Sequence, residues 1–152
     1  MDRVDRTILQ ELEEDGRLSF SDLGERVGLS KSPCWKRVQT LESEGVIRGY
    51  KAVLDPGKLG LDASAFVRIT ISFDQHEAFE RAVTKHPRVM AAHAIVGEAD
   101  YLLQVLTTTM GTLDDFLRQD LWRLPGVQRF STTIAIRTIK SDGSLLRNIN
   151  EG

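Results

Sequence analysis

Between Lys31 and Lys51 the chain carries five basic residues, Lys31, Lys36, Arg37, Arg48 and Lys51, opposed only by Glu42 and Glu44. Read as a helix at about 100° per residue, this stretch puts Cys34, Val38 and Leu41 on one face. Ser32, Trp35, Lys36, Gln39 and Ser43 fall on or near the other face. A helix fits the major groove of DNA, where Lys36 can donate to guanine acceptors and Gln39 can pair with adenine through its amide. Lys31, Ser32 and Arg37 suit phosphates, which set register without reading sequence. A solvated helix face would carry the same charges. Trp35 favours an interface, because a large ring on a polar face lacks a packing role unless something covers it, although packing against the segment that follows would also occupy it.

A second set of residues suits a small zwitterion. In Gly97-Glu98-Ala99-Asp100-Tyr101 the glycine lets a ligand approach the backbone, Asp100 or Glu98 offers a carboxylate to an amine, and Tyr101 offers a flat wall. Hydroxyls recur at Thr107, Thr108 and Thr109 and at Ser131, Thr132 and Thr133, where they can hold a ligand carboxylate. Asp100 has a plainer alternative, bracing a hairpin through backbone amides. Other chemistry finds little support. Cys34 lies on the apolar face and reads as a small buried hydrophobe. His76, His86 and His93 lack metal-site spacing, and no cysteine pair helps them, so neither a metal nor another cofactor is expected. Gly57, Gly60 and Gly97 do not form a phosphate-cradling loop. Without a nucleophile–base pair, an enzyme is disfavoured and no catalytic residue is assigned.

The elements that position these residues follow from periodicity. Val4, Ile8, Leu9 and Leu12 predict a first helix from about Asp2 to Asp15, closed by Gly16. Ser19, with Asp22 three residues on, predicts a capped second helix. Gly28-Leu29 makes a turn, Ser30 caps the third helix, and Val46 to Leu54 reads as a short extended wing. Asp55-Pro56-Gly57-Lys58 signals a linker. Beyond it, alternation at Val67, Ile69, Ile71 and Phe73 marks a strand. A helix around Phe79 to Val83, strands over 89–96 and 101–107, a helix from Leu113 to Leu124 and a last strand over 127–139 complete the order βαββαβ. The expected fold is α+β: a winged helix-turn-helix over 1–54, a linker over 55–63 and a ferredoxin-like domain over 64–152. His86-Pro87-Arg88-Val89 and Leu124-Pro125-Gly126-Val127 echo each other at the ends of its two halves. The third of its strands is apolar on both faces, so one face would stay wet in a monomer and dimerisation is expected.

Of 152 residues, 41% are hydrophobic and 28% charged, the mix of a globular protein. No apolar run reaches the roughly 20 residues of a membrane helix. The opening Met1-Asp2-Arg3-Val4-Asp5 lacks the apolar core of a secretory leader, and the single cysteine suits a reducing cytoplasm. The net charge of −2 gives no bulk attraction to DNA, so the argument rests on local charge.

In order and spacing, Asp5-Arg6-x-Ile8-Leu9, Asp15-Gly16-Arg17-Leu18-Ser19, Val27-Gly28-Leu29-Ser30, Pro33-Cys34-Trp35-Lys36-Arg37-Val38, Leu41-Glu42-x-Glu44-Gly45-Val46-Ile47, Gly97-x-x-Asp100-Tyr101-Leu102-Leu103 and Leu124-Pro125-Gly126-Val127 together resemble the Lrp/AsnC family of transcription regulators. The resemblance implies a sequence-specific regulator that binds double-stranded DNA and answers to a small metabolite, an amino acid first of all. The alternative is a winged-helix module that binds a partner protein. The resemblance also implies a homodimer that assembles to an octamer. DNA contacts would come from Lys31, Ser32, Trp35, Lys36, Arg37 and Gln39. The effector would be held by Gly97, Glu98, Ala99, Asp100, Tyr101, Thr108, Thr109 and Thr132, where loops meet a neighbouring subunit. Relatives commonly carry an aspartate at the position of Thr109. A threonine cannot form a charge-paired contact, which leaves the amine to Asp100 or Glu98.

Overall fold

The computed structural model describes residues 1–150, and the chain packs as two units. The first comprises Met1–Val53 together with the tail from Lys140; the second comprises Leu54–Ile139.

In the first unit, α1 (Arg3–Glu14) starts in a reciprocal cap. The Asp5 amide donates to Asp2 Oδ1 at 2.9 Å, and the Asp2 amide donates to Asp5 Oδ2 at 2.8 Å. In α2 (Phe20–Val27), Ser19 Oγ accepts from the Asp22 amide. A Cβ at Gly24 would come within 2.6 Å of the Leu29 carbonyl oxygen, so only glycine lets α2 lie this close to the turn that follows. That turn passes through Gly28 at φ 74° and leads into α3 (Lys31–Ser43). Ser30 precedes α3, but its side chain makes no capping bond, contrary to expectation. The three helices close over Ile8, Leu9, Leu23, Cys34, Val38 and Leu41.

The extended segment after α3 finds no strand partner. Residues 46–53 run on from α3 without a ladder partner, and among the described residues this unit contains no strand. An extended segment becomes a strand only when a neighbour takes its backbone bonds. The second domain is expected to run on to 152. The tail instead packs with the first unit, and positions 151 and 152 lie outside the described residues. Leu146, on the short helix α6 (Leu145–Asn150), is buried in the helical core. The Glu13 carboxylate accepts from the Ser144 hydroxyl at 2.6 Å and the Leu145 amide at 2.7 Å.

The second unit is an antiparallel sheet of β1 (Ala63–Ile71), β2 (Val89–Ala94), β3 (Tyr101–Thr107) and β4 (Val127–Ala135), in the order β2-β3-β1-β4. With α4 (His76–Thr84) after β1 and α5 (Met110–Asp115) after β3, this is the expected βαββαβ arrangement. Val67 sits between Leu103 and Thr132, and its row faces the helices. Ala65, Val67, Ile69, Leu103 and Val105 join Phe79, Leu113, Phe116 and Leu121 in the core. The second helical stretch is less regular than expected. After α5 it widens into a π turn over Phe116–Asp120, in which the Leu121 amide donates to the Phe116 carbonyl. That five-residue step turns both Phe116 and Leu121 inward. The last strand stops at Ala135 rather than running to Ile139, and Ile136 and Ile139 are exposed.

Candidate nucleic-acid interface and ligand cleft

The local sequence of α3 divides its faces as the helical period requires. Cys34, Val38 and Leu41 are buried, and burial pushes the Cys34 thiol up, as befits a core residue. Lys31, Ser32, Lys36 and Gln39 face solvent, and Trp35 keeps 46% of its surface exposed with no strand alongside to cover it. A continuous basic and aromatic face on the second helix of a helix-turn-helix is the surface that enters a major groove.

Arg37, expected at a phosphate, is paired within the protein. Its Nη1 lies 2.7 Å from both Asp2 Oδ2 and Asp5 Oδ1, tying α3 to the start of α1. The Asp5 amide and then this guanidinium hold the Asp2 carboxyl below its ordinary range. With two carboxylates on one guanidinium, the cluster offers a phosphate no net positive charge. Gln39 is also engaged, donating through Nε2 to Glu42 Oε2 at 2.8 Å, while Tyr50 donates to Glu42 Oε1 at 3.1 Å. Helical spacing offers the pair at 39 and 42. Tyr50 had no sequence signal, because it comes from an irregular segment.

In the sheet unit, an open cleft of about 530 Å³ is lined by Arg68, Thr70, Glu98, Ala99, Arg129, Phe130 and Ser131. It lies where the β2–β3 hairpin meets the helix-free face of β1 and β4. Strand register explains the arginine pair. Arg68 opposes Ser131 and Thr70 opposes Arg129, so the two arginines are diagonal neighbours on one face. Arg129 also donates to the Glu98 carbonyl at 3.3 Å. The arginines escaped the sequence reading because the β1–β4 pairing that joins them is invisible in either strand alone, although Arg68 does interrupt the apolar alternation of Val67 and Ile69.

The sequence-chosen ligand residues scatter. Glu98 and Ala99 line the cleft, beside Gly97 at the hairpin turn. Asp100 is a brace: its Oδ2 accepts from the Ile71 amide at 2.8 Å, and its own amide donates to the Ile69 carbonyl at 2.9 Å, extending the β1–β3 ladder. Tyr101 points to the helix side, 4% exposed, and its hydroxyl donates to Glu80 at 2.6 Å with His76 Nδ1 at 2.8 Å. Burial, then Glu80, pushes its phenol up to about 12. Thr132 also faces the helices, opposite Val67. Thr108 and Thr109 lie beyond the far end of β3, about 20 Å along the strand from Tyr101. Thr109 caps α5, accepting from the Thr112 amide while Thr112 Oγ1 accepts from the Thr109 amide. Aspartate and threonine both serve as caps, which accounts for a threonine at this position. Within the chain, then, Asp100, Tyr101, Thr108, Thr109 and Thr132 do not share a site with Glu98 and Ala99.

No helix among the described residues is long and apolar enough to cross a membrane. Comparison with known proteins gives two family models in tandem: a winged helix-turn-helix DNA-binding model over residues 1–48 and the Lrp/AsnC ligand binding domain over residues 64–145. The chain is 40% identical to the leucine-responsive regulatory protein of Escherichia coli K12 over 149 residues, covering 96% of this chain and 91% of that protein. Among solved structures it is similar to a transcriptional regulator of Neisseria meningitidis in complex with L-Met, at TM-score 0.90 and 40% identity, covering 95% of this chain and 96% of that one. It is also similar to an AsnC family transcriptional regulator of Agrobacterium tumefaciens, at TM-score 0.88 and 36% identity, covering 95% and 96%. With both halves matched in order and nearly the full length shared, the chain belongs to the Lrp/AsnC family of transcription regulators.

Proposed function

We propose that this regulator reads operator DNA with the exposed face of α3 and binds an amino acid in the cleft between Arg68, Arg129 and Glu98. The observation that carries the DNA reading is the row Lys31, Ser32, Trp35, Lys36 and Gln39, which faces solvent while the opposite side of the helix is buried. Lys36 and Gln39 reach base edges, Lys31 and Ser32 hold phosphates, and Trp35 packs its ring against the backbone sugars. Arg37 leaves the contact set, because Asp2 and Asp5 occupy it. A partner protein in place of DNA is the weaker reading, since an acid-free basic helix start suits a polyanion.

For the effector, two guanidinia on one sheet face suit a carboxylate, and the Glu98 side chain suits an α-ammonium. The L-Met complex of the Neisseria relative supports an amino acid as the ligand class. Assembly follows from the same sheet face. Phe66, Leu102 and Leu106 lie on its helix-free side, and Phe66 is 38% exposed. A second copy covering this face gives the dimer, and dimers gather to an octamer as the family resemblance implies. A cytoplasmic setting goes with this reading.

Calorimetry with L-methionine and L-leucine on the full chain tests the cleft. Binding to the parent and its loss in both Arg68→Ala and Arg129→Ala is expected. Unchanged affinity in both variants would empty the cleft of its role. Sedimentation tests the assembly: Leu106→Glu should yield monomers, and an unchanged oligomer would move the interface elsewhere.

A further inference from the structure

Three side chains in the helical unit form a chain of hydrogen bonds from an irregular segment to the exposed face of α3. Tyr50 donates to one oxygen of Glu42 at 3.1 Å, and Gln39 donates to the other at 2.8 Å. Glu42 thus has each carboxylate oxygen occupied. The half-exposed Tyr50 ring rests against the α1–α2 turn: a Cβ on residue 16 would stand 3.4 Å from Tyr50 Cδ1, at van der Waals contact. Burial, then Glu42, pushes the Tyr50 phenol up, so the hydroxyl keeps its proton and remains a donor.

We infer that Glu42 and Tyr50 are positioning residues for base readout, fixing the amide of Gln39 in one of its two orientations. This rests on the reading of Gln39 as a base contact. A glutamine amide has a carbonyl at one end and two N–H groups at the other, and the two ends are nearly equal in shape. An unsupported amide presents either end to the groove. Here a flip would set the amide oxygen against a carboxylate oxygen, two acceptors with no proton between them. Glu42 therefore holds one N–H from behind. The carbonyl and the second N–H remain as the acceptor–donor pair that matches the N6 and N7 edge of adenine. Neither Glu42 nor Tyr50 needs to touch DNA. Because Glu42 is an acid close to a polyanion, its removal strengthens all DNA binding, so only the ratio between bases reports its positioning role.

The test uses the full chain and a duplex selected by the parent from a random pool, together with every single-base-pair variant of that duplex. Anisotropy gives affinities for the parent, Gln39→Ala, Tyr50→Phe, Glu42→Ala and the double variant Gln39→Ala/Tyr50→Phe. Gln39→Ala should flatten the preference at one base pair. Tyr50→Phe, which changes no charge, should lower discrimination at that same base pair by about threefold or more, the lower range of coupling within one hydrogen-bond network. Glu42→Ala should do likewise while raising affinity for every duplex. In the Gln39→Ala background, Tyr50→Phe should have no further effect on discrimination. If Gln39→Ala flattens a position and neither Tyr50→Phe nor Glu42→Ala alters that position, the positioning role is overturned while the base contact stands. A uniform loss across all duplexes in Tyr50→Phe, or a loss of discrimination that persists without Gln39, overturns it as well. If Gln39→Ala changes no position, the base contact itself fails and the positioning role with it.

Discussion

The helical unit and the sheet unit present their chemistry in different ways. On α3 the exposed residues Lys31, Ser32, Trp35, Lys36 and Gln39 come from one continuous element, and the helical period alone puts them on one side. At the β2–β3 hairpin the residues Glu98, Ala99, Asp100 and Tyr101 are consecutive, yet they part company. Asp100 turns into the β1 ladder, Tyr101 turns under the helices, and only Glu98 and Ala99 remain at the cleft. Neighbours in sequence become neighbours in function on a helix face at spacings of three and four. On a strand they are sent to opposite sides, and partners come from other strands.

The largest effect expected from this contrast concerns the tail. If the helical unit includes α6 as a packed part, Leu146→Ala should lower its stability by about 2 kcal/mol, the low end for a buried leucine because a short terminal helix can relax into the space left. Thermal unfolding followed by circular dichroism would show it, and an unchanged melting temperature would detach the tail from this unit. The same contact should be acid-sensitive. The Ser144 hydroxyl holds the Glu13 carboxyl below its ordinary range. Its contribution is therefore complete above the unfolded value and fades as pH falls through the folded one, so amide protection at Leu145 and Leu146 should drop in acid before α3 unfolds.

Next in size is Asp100. As a brace it should cost about 1–2 kcal/mol when changed to Ala, since the part-buried Ile71 amide loses its acceptor, and less when changed to Asn, which keeps an oxygen. Amino-acid affinity at temperatures where the variant remains folded should match the parent. Full stability with lost affinity would return Asp100 to the cleft and erase the contrast with α3.

Tyr101→Phe should cost about 1 kcal/mol through loss of its bonds to Glu80 and His76, without changing ligand affinity. The phenol is raised to about 12 in the folded state against an ordinary value near 10. A raised acid contributes stability fully below the unfolded value, and that contribution is lost as pH climbs through the folded one. Parent stability should therefore decline between about pH 10 and 12 more steeply than that of Tyr101→Phe, and parallel curves would place the hydroxyl in water.

The smallest effect separates two cations on one helix. Lys31→Ala should reduce the salt dependence of DNA binding by about one phosphate contact, whereas Arg37→Ala should leave that slope unchanged. Equal losses in the two variants would mean that Arg37 exchanges Asp2 and Asp5 for phosphate when DNA arrives.

Much of the architecture was legible in the residues. Apolar residues at helical spacing located α1, α2 and α3, and alternation located β1 and β3, because those periods arise from backbone geometry that every residue shares. The burial of Cys34 and the exposure of Lys36 followed from the same arithmetic. Whether the extended residues at 46–53 pair as a strand was not legible, because such residues look alike with or without a neighbour, and the partner is a tertiary matter. Arg37 was assigned to phosphate because its charge is local, whereas its commitment to Asp2 and Asp5 depends on how α1 crosses α3. The cleft shows the same division. Glu98 could be chosen from its turn, but Arg68 and Arg129 lie 61 positions apart in the numbering and meet only through the register of β1 with β4. Sequence by itself determined which residues carry charge, which bury and which elements hold them, since each depends on side-chain type and local period. Only the tertiary structure decided which charges are neutralised and which distant residues share a site, since those depend on distances between elements that no local pattern encodes.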